Sequence, residues 1–311
     1  MIVQITQARD ELLLIKNLLP IWKKYADGFV FCLNDNTDDT RDYLESIKKQ
    51  FNILEVIEHK SDDGKLVVET DRRQALLNTA LKYSQKIICL DADEYLDGCV
   101  SKKQLDNLLE GDGNVLFYLN WIQYTNNSSI RIDGPWKNNI KDRIGFYKNP
   151  SKFPKAQKHS HHLPPGDKQI AIDLNYLFIA HLAWLDKTSA AVKQYYWKVD
   201  DYVNAKLHSI ETYTIADYDA SVNDFNWEES HFEYALKVDK NLFEHVNHSL
   251  NYKLKEIERL KRIHDIPNLG DWGYGIHDSS LYLKGLENYI VSLEHKLSQI
   301  AEIAKWVNKS N

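Results

Sequence analysis

Long apolar runs, an excess of basic residues and paired cysteines are all missing from this 311-residue chain. No segment reaches the roughly 20 apolar residues that a membrane-spanning helix needs, so any membrane association would be peripheral. The formal net charge is −6, which argues against nucleic acid as the main partner. Only 12 glycines and 7 prolines accompany 43% hydrophobic residues, so a folded core is expected rather than extensive disorder.

The cysteines and the N-terminus indicate a compartment. Cys32, Cys89 and Cys99 are odd in number and have no C-x-x-C spacing, which is typical of reduced thiols rather than of a disulfide framework. The opening residues, MIVQITQARDELLL, have no basic stretch before the apolar ones, so no signal peptide is expected. A cytoplasmic location is therefore expected, and peripheral association with the inner face of a membrane stays open.

Residues 1–110 alternate short apolar runs with segments of helical periodicity. The apolar runs cover 2–6, 28–33, 51–59 and 86–90, and the helical segments between them cover 11–25, 41–49 and 71–83. This order predicts an α/β fold whose mainly parallel sheet carries helices on both faces. Ser101 and Gln104 have the spacing of a capping box, which predicts a further helix.

The pattern changes after residue 110 and suggests a division of the chain. Strand-like runs follow one another without long helices up to about residue 147, and another strand at 176–184 precedes a helix at 188–207. We expect a catalytic domain at 1–208, which consists of a nucleotide-binding half at 1–110 and an acceptor half at 111–208. A helical extension at 209–265, a linker at 266–280 and a terminal helix at 281–311 are expected to follow.

The terminal helix has a heptad pattern. Its apolar residues recur at alternating spacings of three and four: Leu283, Leu286, Ile290, Leu293, Leu297, Ile300, Ala304 and Val307. This spacing predicts a coiled-coil-like tail that makes the protein a homo-oligomer. An amphipathic helix docked on its own domain is the alternative.

The stretch KIICLDADEYLDG, residues 86–98, places Asp91 and Asp93 directly after an apolar strand. Ligands of open parallel sheets bind beyond the carboxyl ends of the strands. Two carboxylates there suit a hard cation such as Mg²⁺ or Mn²⁺, which keeps open positions for phosphate oxygens. A solvated acidic turn that merely ends the strand is the alternative.

Four stretches in order carry a resemblance to a known family. They are ARDELLLIKNLLPIWKKYADGFVFCLNDNTDDT, ETDRRQALLNTALKYSQKIICLDADEYLD, DRIGFYKNPSKFPKAQKHSHHL and FIAHLAWLDKTSAAVKQYYWK. Together they resemble the family 2-like glycosyltransferases of the GT-A fold, over roughly residues 1–205. The resemblance implies a Rossmann-like GT-A catalytic domain, followed here by a helical C-terminal region.

The same resemblance implies an activity. The enzyme would move a sugar from a UDP- or GDP-sugar to a hydroxyl of a glycan or another acceptor, with Mn²⁺ or Mg²⁺ as cofactor. Assembly of surface glycans or polysaccharides is the implied setting. The donor sugar, the acceptor and the stereochemical outcome stay open.

The resemblance also assigns residues. Nucleotide contacts fall on Arg9, Glu11, Asp35, Arg72 and Asp91, and metal contacts on Asp91, Asp93 and His181. Exposed helix charges are the alternative for Glu11 and Arg72, and a buried core histidine is the alternative for His181.

The catalytic base has three candidates. The family places an acid after its R-L-F-R strand, whereas this chain has His161 and His162, and no acid before Asp167. Histidine suits proton removal near neutral pH, so all three residues stay candidates. A polar loop or a zinc site are the other interpretations of these histidines. Trp121, Trp136 and Trp184 could line an acceptor groove or belong to the core.

Other functions meet specific obstacles or stay open. A sugar-nucleotide pyrophosphorylase would need a glycine-rich loop after the first strand, and ITQARDE has no glycine. A phosphatase with a D-x-D-x-T motif would need Thr where Tyr95 stands. A non-catalytic coiled-coil assembly protein with a degenerate GT-A scaffold, or another enzyme that processes nucleotide sugars, stays open.

Overall fold

The computed structural model describes residues 1–34, 36–59, 69–124, 129–131, 139–154, 161–184, 190, 192–199, 202, 230–231, 257–258 and 260. The chain divides into two compact units, Met1–Ala190 with Asn226–Lys253, and Ala191–Phe225 with Leu254–Asn311. Asp35, Trp136, the heptad tail at 281–311 and the predicted boundaries at 208, 265 and 280 lie outside the described residues and stay predictions.

The first half of the larger unit is a run of parallel strands joined by helices. In chain order it contains β1 (Ile2–Ala8), α1 (Leu12–Trp22), β2 (Gly28–Asn34), α2 (Thr40–Ser46), α3 (Lys48–Phe51), β3 (Ile53–His59), α4 (Glu69–Ala80) and β4 (Lys86–Cys89). Strand β1 pairs in parallel with β2 and β4, and β2 pairs in parallel with β3. Because these strands are parallel, their carboxyl ends lie at one edge of the sheet.

The second half adds strands of both directions to the same sheet. It contains β5 (Glu94–Gly98), α5 (Lys102–Leu108), β6 (Val115–Gln123), β7 (Ser129–Ile130), β8 (Ile140–Phe146), β9 (Lys168–Ala171), β10 (Leu177–His181) and β11 (Ser230–His231). The order within the described residues is β3-β2-β1-β4-β8-β6-β10-β5, with β9 beside β6, while β7 and β11 pair separately. The predicted α/β fold with a mainly parallel sheet is confirmed.

Alternating side chains explain why helices cover both faces of the sheet. One face packs strand residues such as Ile2, Phe31 and Ile88 against α1. The other packs Val3, Ile5, Val30, Cys32 and Ile87 against Leu76, Leu77 and Ala80 of α4. Each fully buried aliphatic side chain stabilises the fold by about 1.5–3 kcal/mol relative to exposure. The predicted capping box also forms, because Ser101 and Gln104 bond each other's backbone N–H at the start of α5.

The sheet topology gathers several chain segments at one edge. Strand β8 runs antiparallel between β4 and β6, so its amino end lies near the carboxyl ends of both neighbours. Strand β10 runs parallel to β6, and its last residue, His181, pairs with Glu94 at the start of antiparallel β5. We call this the carboxyl edge, because β1, β2, β4, β6 and β10 all end there.

The smaller unit is described at few positions. Residues 192–199 are helical, within the helix predicted at 188–207. Val192 and Val199 are buried, and Lys198 Nζ lies 6.0 Å from the centre of the Tyr195 ring. No helix in the described part of the chain combines the length and apolar character that crossing a membrane requires.

Candidate functional site

The acidic turn after β4 is held by hydrogen bonds within the turn and to β1. The Glu94 N–H donates to the carbonyl of Asp91 over 3.0 Å, and the Asp91 N–H donates to Glu94 Oε2 over 3.0 Å. Leu90 N–H donates to Ile5 O over 3.1 Å, which keeps the start of the turn beside β1. The stretch DADE is therefore an ordered turn at the carboxyl edge.

Asp91 has a separate partner for each carboxylate oxygen. Arg73 Nη2 of α4 donates to Oδ1 over 3.2 Å, and His162 Nε2 lies 3.0 Å from Oδ2. Burial alone would raise the pKa of Asp91, but the charge of Arg73, the hydrogen bond from His162 and the charge of Arg143 outweigh it. The pKa of Asp91 therefore lies well below its usual value, and the group is ionised at neutral pH.

Asp93 pairs with a different histidine. His181 Nε2 lies 3.4 Å from Asp93 Oδ2, and the N–H of Leu182 donates to the Asp93 carbonyl over 2.9 Å. His181 Nδ1 is hydrogen-bonded to Oε1 of Gln123, which is its neighbour across the β6–β10 ladder. The two aspartates of the D-x-D stretch thus engage different elements of the chain.

The Asp93–His181 pair fits a bound cation. With Gln123 Oε1 as acceptor, Nδ1 carries a proton, and Nε2 and the Asp93 carboxylate face each other. A proton or a metal ion between Nε2 and the carboxylate would satisfy both groups. The described residues contain no group of three His, Cys, Asp or Glu arranged to hold a metal. Mg²⁺ and Mn²⁺ commonly take one or two protein ligands and complete their shell with water and substrate phosphates.

Asp142 of β8 positions the histidine pair. Its Oδ2 accepts the N–H groups of His162 and Leu163 over 3.0 and 3.2 Å, and His161 Nδ1 lies 3.3 Å away. Burial would raise the pKa of Asp142, but the hydrogen bond from His161 and nearby positive charge lower it. His161 keeps 26% of its side chain exposed, whereas His162 is buried.

His162 is a neutral histidine at physiological pH. Burial lowers its pKa to about 4, with the charges of Arg143 and Arg73 acting in the same direction and Asp91 opposing them. The neutral ring donates from Nε2 to Asp91, while Nδ1 is buried and has no hydrogen-bond partner within the described residues. His162 thereby orients Asp91 without adding a charge.

This shifted pKa predicts a pH dependence of stability. Between pH 6.5 and about 4 the unfolded chain binds a proton at His162 that the folded chain does not. The free energy of unfolding should therefore fall as the pH falls through this window, by at most about 1.4 kcal/mol per pH unit from this group. The free energy of unfolding, measured by urea denaturation at several pH values, should depend less steeply on pH in His162→Gln than in the wild type. An equal pH dependence in both proteins would contradict the assignment.

Glu94 connects the turn to the core. Both oxygens of this fully buried carboxylate bind Arg143 of β8, Oε2 to Nε at 2.8 Å and Oε1 to Nη2 at 2.7 Å. Trp121 Nε1 donates to Oε1 over 2.7 Å, and Trp22 Nε1 donates to the Glu94 carbonyl over 2.8 Å. Among the described residues, this cluster contains the carboxylates of Glu69, Asp91, Asp93, Glu94 and Asp142 and the guanidinium groups of Arg73 and Arg143.

Two of the predicted nucleotide residues, Arg9 and Glu11, lie at the same edge. Arg9 and Glu11 are half-buried just beyond the end of β1. Asp10 between them has a positive φ of 53°, and its carboxylate accepts the backbone N–H groups of Thr37 and Asp38 over 2.5 and 3.1 Å. The loops after β1 and β2 are therefore bonded to each other.

Two arginines of α4 have different surroundings. Arg72, the predicted one, is half-buried, whereas Arg73 is buried between Glu69 and Asp91. Sequence reasoning missed Arg73 as well as Arg143, Asp142 and the role of Glu94. A signal for Arg73 was present, because it precedes the buried Leu76, Leu77 and Ala80 at helical spacing.

Asp167 is not brought together with the histidines. It is exposed and accepts the Asn114 N–H over 2.8 Å. The next residue, Lys168, begins β9 opposite Val115, the first residue of β6. Because β6 ends at the carboxyl edge, Asp167 lies at the other edge, away from the D-x-D turn.

The described tryptophans have protein partners. Trp184 is buried, and the guanidinium of Arg131 lies 4.5 Å from its ring centre. Trp121 is half-buried and stacks on His181, with ring centres 4.4 Å apart. An acceptor groove on either ring stays a prediction.

Comparisons with known proteins give distant likenesses only. No family model and no curated protein sequence matches the chain. Similar solved structures include S. aureus TarS 1–349 in complex with UDP (14% identity, 72% of this chain, 70% of that chain, TM-score 0.39). Another is the mannosyltransferase PcManGT from Pyrobaculum calidifontis in complex with GDP-Man and Mn²⁺ (11% identity, 93% of this chain, 80% of that chain, TM-score 0.37). A third is a nucleoside-diphosphate-sugar pyrophosphorylase from Vibrio cholerae (14% identity, 47% of this chain, 73% of that chain, TM-score 0.27). Because all three TM-scores lie below 0.5, the activity has to be argued from this chain's own residues.

Proposed function

We propose that the chain is a metal-dependent glycosyltransferase that moves a sugar from a UDP- or GDP-sugar to a hydroxyl acceptor. The carrying observation is the Asp93–His181 pair, in which Nε2 and Oδ2 lie 3.4 Å apart at the carboxyl edge of the sheet. Surface glycan or polysaccharide synthesis is the setting that the sequence resemblance suggests.

Asp93 and His181 would hold Mn²⁺ or Mg²⁺, with Asp91 beside them. A divalent ion there supplies charge neutralisation for the departing diphosphate. Arg9, Glu11 and Arg72 are proposed to face the nucleotide, because they lie near the same edge at the end of β1 and the start of α4. Arg73 and His162 fix the orientation of Asp91.

His161 is the best-placed general base. Its Nδ1 lies beside the buried Asp142 carboxylate, which holds the proton on Nδ1 and leaves Nε2 as the proton acceptor. In a direct displacement, Nε2 takes the proton of the acceptor hydroxyl while that oxygen bonds to the anomeric carbon. The bond from this carbon to the diphosphate oxygen breaks in the same step.

Ligand-dependent stability tests the proposed function. Thermal denaturation should be measured with UDP, GDP and AMP, each with and without Mn²⁺. We expect UDP or GDP to stabilise the protein only with Mn²⁺, by about 2.7 kcal/mol at a ligand concentration 100 times Kd. If no nucleotide stabilises the protein under any condition, the non-catalytic assembly protein is the better account.

Replacement of His161 should separate catalysis from binding. His161→Gln is expected to lower kcat by about a hundredfold, because general bases contribute 10²–10⁴-fold. The Kd for the Mn²⁺–nucleotide complex should change less than about threefold, since the assigned ligands remain. Steady-state kinetics and calorimetric titration measure the two quantities, and an unchanged kcat would remove His161 from this role.

A further inference from the structure

Trp121 links the most buried carboxylate of the cluster to the histidine of the Asp93 pair. Its indole Nε1 donates to Glu94 Oε1 over 2.7 Å, and that carboxylate is itself fixed by Arg143. The ring stacks on the His181 imidazole with centres 4.4 Å apart and an angle of 28° between the planes. One end of Trp121 is thus anchored, and its face lies against His181.

The surroundings of Trp121 restrict its motion further. Strand β6 carries Trp121, and the Nζ of Lys141 lies 5.0 Å from the ring centre. The backbone N–H of Trp121 donates to the backbone carbonyl of Asn139 over 2.7 Å. Backbone, ring and indole nitrogen are all engaged, so the ring has little freedom to turn. A ring held in this way can fix the plane of the imidazole that stacks on it.

His181 needs such support from outside its own strand. Gln123 holds Nδ1 by one hydrogen bond, which still allows the imidazole to tilt about that bond. Stacking against Trp121 removes this tilt and aims Nε2 at Asp93 Oδ2. Mutation of groups that orient metal-ligating histidines typically weakens metal binding by about 10–100-fold.

We propose that Trp121 is a positioning residue, which holds His181 so that its Nε2 and the Asp93 carboxylate form one ready-made cation site. The stack sets the plane of the imidazole, and the bond to Glu94 sets the plane of the indole. The consequence for metal binding rests on the proposed function, whereas the effect on His181 itself does not.

The orientation of His181 is measured in the metal-free protein. Long-range ¹H–¹⁵N spectra of the histidine side chains report the tautomer, and His181→Gln identifies the resonance. We expect one set of His181 ring resonances in the wild type, with a proton between Nε2 and Asp93, and more than one set in Trp121→Leu, which removes the stack. An identical His181 spectrum in Trp121→Leu would overturn the proposal.

Metal affinity is the second readout. Mn²⁺ binding, followed by electron paramagnetic resonance, should weaken about 10-fold in Trp121→Phe and up to about 100-fold in Trp121→Leu. Phe keeps a stacking ring but loses the bond to Glu94, so the order of the two variants tests both contacts. At saturating Mn²⁺ the kcat of Trp121→Phe should return close to that of the wild type. Equal Mn²⁺ affinity in wild type and both variants would contradict the proposal.

Trp22→Phe is the matched control. Trp22 also donates its indole N–H to Glu94, but to the carbonyl oxygen, and it packs in the core. This variant should lower thermal stability and leave the His181 tautomer and the Mn²⁺ affinity unchanged. Wild-type protein that binds no Mn²⁺ would refute the proposed function, while the tautomer experiment would still decide the positioning role.

Discussion

Asp93→Asn should abolish the Mn²⁺-dependent stabilisation by nucleotide and lower transfer at least about a thousandfold. The substitution keeps the shape of the side chain but removes the negative charge that faces His181 Nε2. A metal ion contributes several kcal/mol of charge stabilisation to a transition state, and each 1.4 kcal/mol corresponds to tenfold in rate. Calorimetric titration with Mn²⁺ and nucleotide, together with donor turnover, measures the loss.

Asp167→Asn provides the comparison for this experiment. Asp167 is an exposed acid at the opposite edge of the sheet, and an amide oxygen can still accept the Asn114 N–H. Nucleotide binding and turnover should stay at wild-type level. If Asp93→Asn keeps wild-type Mn²⁺ dependence, or if both variants lose activity equally, the metal site has been placed wrongly.

Glu94→Gln should lower the free energy of unfolding by about 3–5 kcal/mol. The substitution leaves Arg143 charged and buried, and removing one partner of a buried ion pair has this cost. Proteins usually have a free energy of unfolding of about 5–15 kcal/mol, so the variant should unfold at a clearly lower temperature than the wild type. Urea denaturation at neutral pH measures the change.

An exposed ion pair shows what burial contributes. Arg41 Nε lies 2.6 Å from Glu58 Oε1, but both side chains are more than 40% exposed. Arg41→Gln should therefore cost less than about 1 kcal/mol. If Arg41→Gln and Glu94→Gln lower the free energy of unfolding by similar amounts, the Glu94 carboxylate is not needed to balance the buried charge of Arg143.

The position of the site could be predicted from the sequence, because it follows from periodicity. Apolar runs of strand length alternate with helical segments, and that alternation implies parallel strands with a common carboxyl edge. Asp91 and Asp93 directly follow such a run, so their placement needs no tertiary knowledge. Metal binding, the nucleotide and the reaction remain proposals.

The partners of these acids could not be predicted in the same way. Asp142 and Arg143 reach the cluster only because β8 inserts antiparallel between β4 and β6, a pairing that local periodicity does not encode. The sequence of the turn does not indicate that Glu94 is buried, because its partners Arg143 and Trp121 come from later strands. Arg73 was the exception, since its helical spacing with buried leucines was visible in the sequence.

Both aspartates of the D-x-D turn contact histidines that are distant in sequence: His162 contacts Asp91, and His181 contacts Asp93. A nascent polypeptide that has emerged only as far as residue 110 carries both acids but neither histidine. If the proposed function holds, the metal and nucleotide site is therefore complete only after these distant segments have paired, and such non-local pairing is slow. Nucleotide binding would report complete maturation of this unit rather than folding of its first half.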